Sequence, residues 1–371
     1  MAATINRLLD LAIQIQQVPA PTFHEGQRAE FVRGLFIKEN LQDVSMDALN
    51  NVFARLPGKR EGLPLIVSAH MDTVFPENTS LHVTREEGRI YGPGIGDNSL
   101  GVAALLGLSW NLRARRIELP FDIWFAASAC EEGLGDLRGI KAVVERFGAG
   151  VKAYLVLEGM ALGHVYHRAI GVRRYRVTVR TAGGHSWSDY GQPSAVHEAA
   201  RLVTRITSLA LPAHPRTTLN VGLIKGGTGV NVLASDAAFD LDMRSESTDE
   251  LNMLIGQVEK IIRSANRQDV KIEMEVIGSR PAGAIAAHHP LVQLAGECLR
   301  EQGLTAALTS GSTDANIPLS RGYPALVLGI TTGGSAHTVH EYIDVGPVGR
   351  GMECLTEFVV KISDQYGAGG K

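Results

Sequence analysis

The chain has 371 residues, enough for two to three domains at roughly 150 residues each. With 36 Lys and Arg against 39 Asp and Glu, a net charge of −3 and no basic run, a nucleic-acid binder working through bulk positive charge is excluded. A hydrophobic content of 44% excludes a disordered chain, and no apolar stretch reaches the roughly 18 residues that cross a bilayer.

In chain order, the first segment predicts an amphipathic helix with Ile5, Leu8, Leu9, Ala12 and Ile13 on one face, closed by Pro19 and Pro21. Arg7 and Asp10 interrupt it, so it lacks the apolar block of a secretory leader. Continuous apolar runs follow at Leu65–Ala69, Phe121–Ala127, Ala153–Leu157 and Pro324–Gly329, as expected of strands covered on both faces. Helical patterns at Leu100–Arg113 and Ile140–Arg146 alternate with them, which predicts an α/β domain around a mostly parallel mixed sheet.

The middle third reads differently. Val172–Thr181 alternates apolar and polar residues, like a strand with one wet face. A helix is expected from Pro193 to about Leu209, then strands near Thr217–Ile224 and Ala237–Arg244. Ser247 or Thr248, with Glu250 nearby, opens another helix to Ala265, and Val270–Ile277 closes the set. This β-α-β-β-α-β order predicts a ferredoxin-like α+β domain over 171–282, inserted into an α/β domain made of 1–170 and 283–371. Cys130, Cys298 and Cys354 are odd in number and far apart, which predicts neither a disulfide framework nor a zinc knuckle and fits a reducing, cytoplasmic setting.

The apolar strands share one feature: each runs into polar residues able to bind a cation or act as a base. The first leads to His70-Met71-Asp72, the second to Glu131-Glu132 and the third to Glu158; beyond the fourth, a Gly-rich loop delivers His337. Open α/β sheets bind ligands outside the carboxyl ends of their strands, so these side chains are expected in one crevice. His70 and Asp72 are two apart, which in extended chain puts both on one face, where the carboxylate can orient the imidazole. Asp97 follows a glycine-rich turn, placed to lie between two cations. Of the adjacent Glu131 and Glu132, one can bind metal while the other stays free as a base. Two His, three carboxylates and a spare Glu suit a pair of zinc ions better than magnesium, with cobalt or manganese as alternatives.

The segments SAHMDTV, GPGIGDNSLG, ACEEG, LEG, GGHSW, NVGLIKGGTGVNVLASDAAFDLDMRS, GSTDANIP and GGSAHTVHEY resemble the M20 metallopeptidases, the zinc aminoacylase and carboxypeptidase group, over nearly the whole chain. The resemblance implies an α/β/α catalytic domain with an inserted lid and dimerisation domain, and a homodimer through residues 171–282. It implies that His70, Asp97 and Glu158 hold one divalent ion and Asp97, Glu132 and His337 the other, with Asp97 bridging and the Asp97–Asn98 peptide cis. Glu131 would be the general base, Asp72 the partner of His70, and His185 an oxyanion donor reaching a neighbouring subunit. Asn231 and Arg244 would bind a substrate carboxylate. The family's H-x-x-x-E pattern, which His337 and Glu341 match, implies His337 and not His340 as the ligand.

The implied substrate is a small peptide, most like that of the peptidase T-like tripeptidase branch. A carboxypeptidase, or a deacylase of N-acyl amino acids such as acetylornithine deacetylase or succinyl-diaminopimelate desuccinylase, is the alternative. No nucleic-acid or membrane partner is expected. GPGIG invites a dinucleotide-binding oxidoreductase, but its spacing is not G-x-G-x-x-G and no acid ends a second strand about 20 residues on. No G-x-S-x-G is present for a serine hydrolase of the α/β type.

Overall fold

The computed structural model describes residues 2–60 and 62–366. The chain divides into two compact units: Met1–Ala169 with Ala284–Lys371, and Ile170–Gly283.

The first unit is built on a mixed sheet. Its centre is four parallel strands in the order Ile123–Ser128, Leu65–His70, Ala153–Glu158 and Ala325–Gly329. Val52–Leu56 extends one side antiparallel and His164–Ala169 the other. Alternate residues of the central strands feed two apolar layers. Leu65, Val67, Phe125, Leu155 and Leu328 pack with the helices Ala2–Gln16, Leu100–Ala114, Pro290–Glu301 and Val348–Tyr366. Ile66, Ala126, Tyr154, Val156 and Val327 pack with the helices Arg138–Phe147 and Asn316–Ser320. Burial on both faces explains the near-continuous apolar runs of these strands, and the result is the α/β/α layering expected.

A second, smaller sheet was not anticipated from sequence. It joins Gly333–Gly334, Tyr342–Asp344, Arg89–Tyr91 and Thr84–Glu86. Runs of two or three residues are too short to show a periodicity, so only the fold reveals them. Tyr91 pairs with Tyr342 and Ile90 with Ile343, which lays the approach to Asp97 beside the exit from the His337 loop.

The inserted unit has the β-α-β-β-α-β order of a ferredoxin-like fold. Its antiparallel sheet runs Thr217–Gly226, Asp236–Ser245, Gly171–Arg180, Lys271–Arg280, and the helices Ala195–Thr207 and Thr248–Ala265 contribute to one core with it. Tyr175, Val177, Val179, Phe239, Leu241 and Met243 meet Leu202, Ile206, Leu254 and Val258 there. The Ser247 side chain accepts the Glu250 N–H, a cap that starts the second helix at Thr248. Among the described residues, no helix is long and apolar enough to cross a membrane.

Candidate active site

The carboxyl ends of the parallel strands carry the polar residues singled out in the sequence. His70 is the last residue of its strand, Glu158 the last of its neighbour, and Glu131 and Glu132 follow the strand that ends at Ser128. Asp97 stands in the short helical turn Ile95–Ser99 that leads into the helix Leu100–Ala114, with the Asp97–Asn98 peptide cis as expected. Cys130 and His337 adopt positive φ, 55° and 64°, an uncommon conformation for residues with a Cβ.

These side chains form three groups, in each of which the donor atoms lie within 4.8 Å of one another: His70, Asp97 and Glu158; Asp97, Glu132 and His337; His70, Glu131 and Glu132. Asp97 belongs to two of them, and its two oxygens are divided between the two histidines. Its Oδ1 is 3.1 Å from His70 Nε2 and its Oδ2 is 3.1 Å from His337 Nε2. His337 Nε2 is also 3.1 Å from Glu132 Oε1, and His70 Nε2 is 3.8 Å from Glu158 Oε2. Two ligands at zinc bonding distance and tetrahedral angles would stand about 3.3 Å apart, so the spacing and the N/O donor set both fit a pair of small divalent cations. His340 joins no such group among the described residues.

Asp72 supports both halves of this arrangement. It is fully buried, and its carboxylate accepts the main-chain N–H of Glu131 at 2.8 Å and of Glu132 at 2.9 Å, together with the Thr22 hydroxyl at 2.9 Å. His70 Nδ1 lies 3.1 Å from the Asp72 carbonyl and 3.6 Å from its carboxylate, which leaves Nε2 facing Asp97.

Charge is concentrated here. Burial opposes ionisation of Asp97, but the hydrogen bonds from His337 and His70 outweigh it and hold its carboxyl well below the usual range. Hydrogen bonds to Asp97 and Glu132 push His337 up to about 10. Burial drives Glu158 well above the usual carboxylate range despite the nearby His70. Asp97 and Glu131 repel the Glu158 carboxylate, and a divalent cation is the charge that would relieve this crowding.

Residues 66–361 match the pattern of peptidase family M20/M25/M40. The chain belongs to that family. It is a hydrolytic enzyme of the peptidase and amidohydrolase kind. A tripeptidase from Staphylococcus aureus subsp. aureus mu50 shares its fold at a TM-score of 0.83 with 21% identity, over 97% of this chain and 99% of that one. A Bacillus subtilis protein described as a dinuclear metal binding peptidase of the M20 family shares it at 0.73 with 16% identity, over 98% and 99%. Acetylornithine deacetylase of Myxococcus xanthus is 28% identical over 217 residues, 55% of each chain.

The remaining expected residues of this M20 chain lie in the inserted unit. His185 sits in a two-residue ladder, Gly184–His185 against Val232–Leu233, and the Asn231 carbonyl accepts the Ser186 N–H at 3.0 Å, so His185 and Asn231 are on adjoining segments. The exposed His185 ring accepts the Trp187 N–H at Nδ1, at 3.2 Å, which leaves Nε2 as the ring's hydrogen-bond donor. Arg244 lies on the strand Asp236–Ser245, and its Nε donates to Asp242 at 2.7 Å.

Sequence reasoning missed several residues that brace the site. Glu25 is buried and accepts the Cys130 N–H at 3.0 Å, fixing the turn before Glu131. Arg28, also buried, donates to the Met71 carbonyl at 2.7 Å and the Val18 carbonyl at 2.8 Å. Arg28 stands four and eight residues before Val32 and Phe36, on the buried face of the helix Gly26–Lys38, and a charged residue at that spacing was the available signal.

Proposed function

We propose that this chain is a dinuclear metal-dependent hydrolase that cleaves an amide bond of small peptides, with a substrate range like that of the tripeptidase branch. The observation that carries the reading is the division of Asp97: one oxygen toward His70, the other toward His337. His70, Asp97 and Glu158 would hold one ion and Asp97, Glu132 and His337 the other, zinc being the best match to the mixed nitrogen and oxygen donors. When bound, two such ions lower the pKa of a water and polarise the scissile carbonyl.

Glu131 takes a proton from the attacking water and passes it to the leaving amine as the C–N bond breaks, so acid and amine products balance without a further reactant. Asp72 keeps the His70 ring in the orientation that presents Nε2. His185, reaching the active site of a neighbouring subunit, donates from Nε2 to the carbonyl oxygen as negative charge develops on it. Arg244, whose planar fork suits a carboxylate, and Asn231 bind the acid end of the substrate. The reading includes a homodimer through residues 171–282, supported by the edge strand Thr217–Gly226 with its exposed Leu223 and Ile224. It also includes a cytoplasmic setting, supported by three buried free thiols.

A deacylase acting on N-acyl amino acids is the second reading, favoured by the similarity to an acetylornithine deacetylase. Amine release from di- and tripeptides and from N-acetyl and N-succinyl amino acids, after loading with zinc, cobalt or manganese, separates the two. Turnover of tripeptides is expected; turnover of acyl amino acids alone replaces the first reading by the second. Light scattering at micromolar concentration tests the dimer, and a monomer at full activity removes it.

A further inference from the structure

The turn that carries Asp97 is moored on two sides by side chains that belong to none of the donor groups. Glu341 is fully buried, and its carboxylate accepts three main-chain N–H groups: Gly94 at 3.1 Å, Gly96 at 2.7 Å and Asp97 itself at 2.8 Å. Its own carbonyl accepts the Gly92 N–H at 2.9 Å. Glu341 stands four residues after His337, and the pairing of Arg89–Tyr91 with Tyr342–Asp344 fixes the two segments side by side.

On the opposite side Asn98 donates to the Leu157 carbonyl at 2.8 Å and accepts the Gly159 N–H at 3.0 Å, tying the same turn to the strand end that bears Glu158. Gly159 has to be a glycine there, because a Cβ would stand 2.0 Å from the Gly96 carbonyl oxygen. One mooring therefore runs to the Glu158 segment and the other to the His337 segment.

We infer that Glu341 is a positioning residue for the Asp97–Glu132–His337 group in particular, and that its clamp sets how tightly this group binds its cation. The inference rests on the dinuclear reading above. Three N–H donors converge on a group that, ionised, only accepts; a glutamine would present its NH2 to at least one of them and repel the turn. With Glu341 altered, Asn98 still holds Asp97 to the Glu158 strand and Asp72 still orients His70, so the other group keeps its geometry.

The test is calorimetric titration of the metal-free protein with Zn²⁺, comparing the wild type with Glu341→Gln and with Glu341→Asp, which keeps the charge but shortens the reach. The wild type is expected to bind two ions per chain. Both variants should bind the first with unchanged affinity and the second roughly 10–100-fold more weakly, the usual scale for losing a partner that orients a ligand. At one equivalent of zinc above saturation of the first ion, kcat should fall while KM stays within about twofold, and excess zinc should restore kcat. In His337→Ala, adding Glu341→Gln should cost no further affinity. A folded variant that binds both ions as the wild type does, or loses both equally, overturns the inference; if Glu341→Gln does not fold, Glu341→Asp decides by the same criteria. A wild type that binds fewer than two ions removes the dinuclear reading and the clamp with it.

Discussion

The loops at the strand ends of the α/β unit and the loops around His185 in the inserted unit hold their side chains in opposite ways. Around the strand ends, the Asp72 carboxylate is fully buried and occupied by two N–H groups and a hydroxyl, and Glu341 is occupied by three N–H groups. His185 instead rests on a two-residue ladder, with Trp187 and Tyr190 beside it 86% and 89% exposed. A ligand set has to exist before the cation arrives, and buried hydrogen bonds supply that preorganisation. A residue that acts only on bound substrate can stay on an exposed segment, and exposed loops with few buried contacts sit at the low-stability end of a fold.

Substitutions can break this contrast. Asp97→Ala is expected to have the largest effect, loss of both ions and of measurable turnover, because the side chain is common to two donor groups; metal analysis after dialysis checks it. Glu131→Ala should retain its metal and lose about 10²–10⁴-fold in kcat, the usual worth of a general base; wild-type turnover would mean that another group takes the proton. His185→Ala should lower kcat by roughly 10²–10³-fold with metal content unchanged. Loss of metal from His185→Ala would erase the distinction between the two regions.

Smaller in effect, but sharper on the inserted unit alone, is the Glu198 ion pair. The hydrogen bond from Arg267 holds the Glu198 carboxyl below the usual range, and both Arg267 NH groups reach it at 3.1 Å. A carboxylate whose folded pKa is depressed adds stability above its unfolded pKa of about 4.3, and that stability is lost as pH falls through the folded value. Glu198→Gln should therefore cost about 1–3 kcal/mol at pH 7, the scale of a hydrogen bond to a charged group, and progressively less in acid. Urea unfolding of both proteins at pH 7 and below pH 4 checks the sign; a gap that widens in acid contradicts it.

The same contrast explains what the sequence disclosed. The parallel strands were legible because burial on both faces leaves uninterrupted apolar runs, and the polar residue that ends each run is conspicuous against them. The ferredoxin-like unit was legible from alternation in Gly171–Arg180 and from the cap before Thr248–Ala265. Glu341, Asn98 and Glu25 were not legible as braces. Each works by hydrogen bonds to main-chain groups, and main-chain groups leave no trace in side-chain pattern. Glu341 also meets its donors 244 to 247 positions away along the chain. The small sheet that brings those segments together is built of strands of two or three residues, too short to announce themselves.

The central claim, two cations sharing Asp97, is tested most directly by anomalous diffraction from crystals grown with zinc. The expected result is two peaks about 3.5–4 Å apart. One should lie against His70, Asp97 and Glu158, the other against Asp97, Glu132 and His337. A single peak in active protein, or a pair that does not share Asp97, would contradict it.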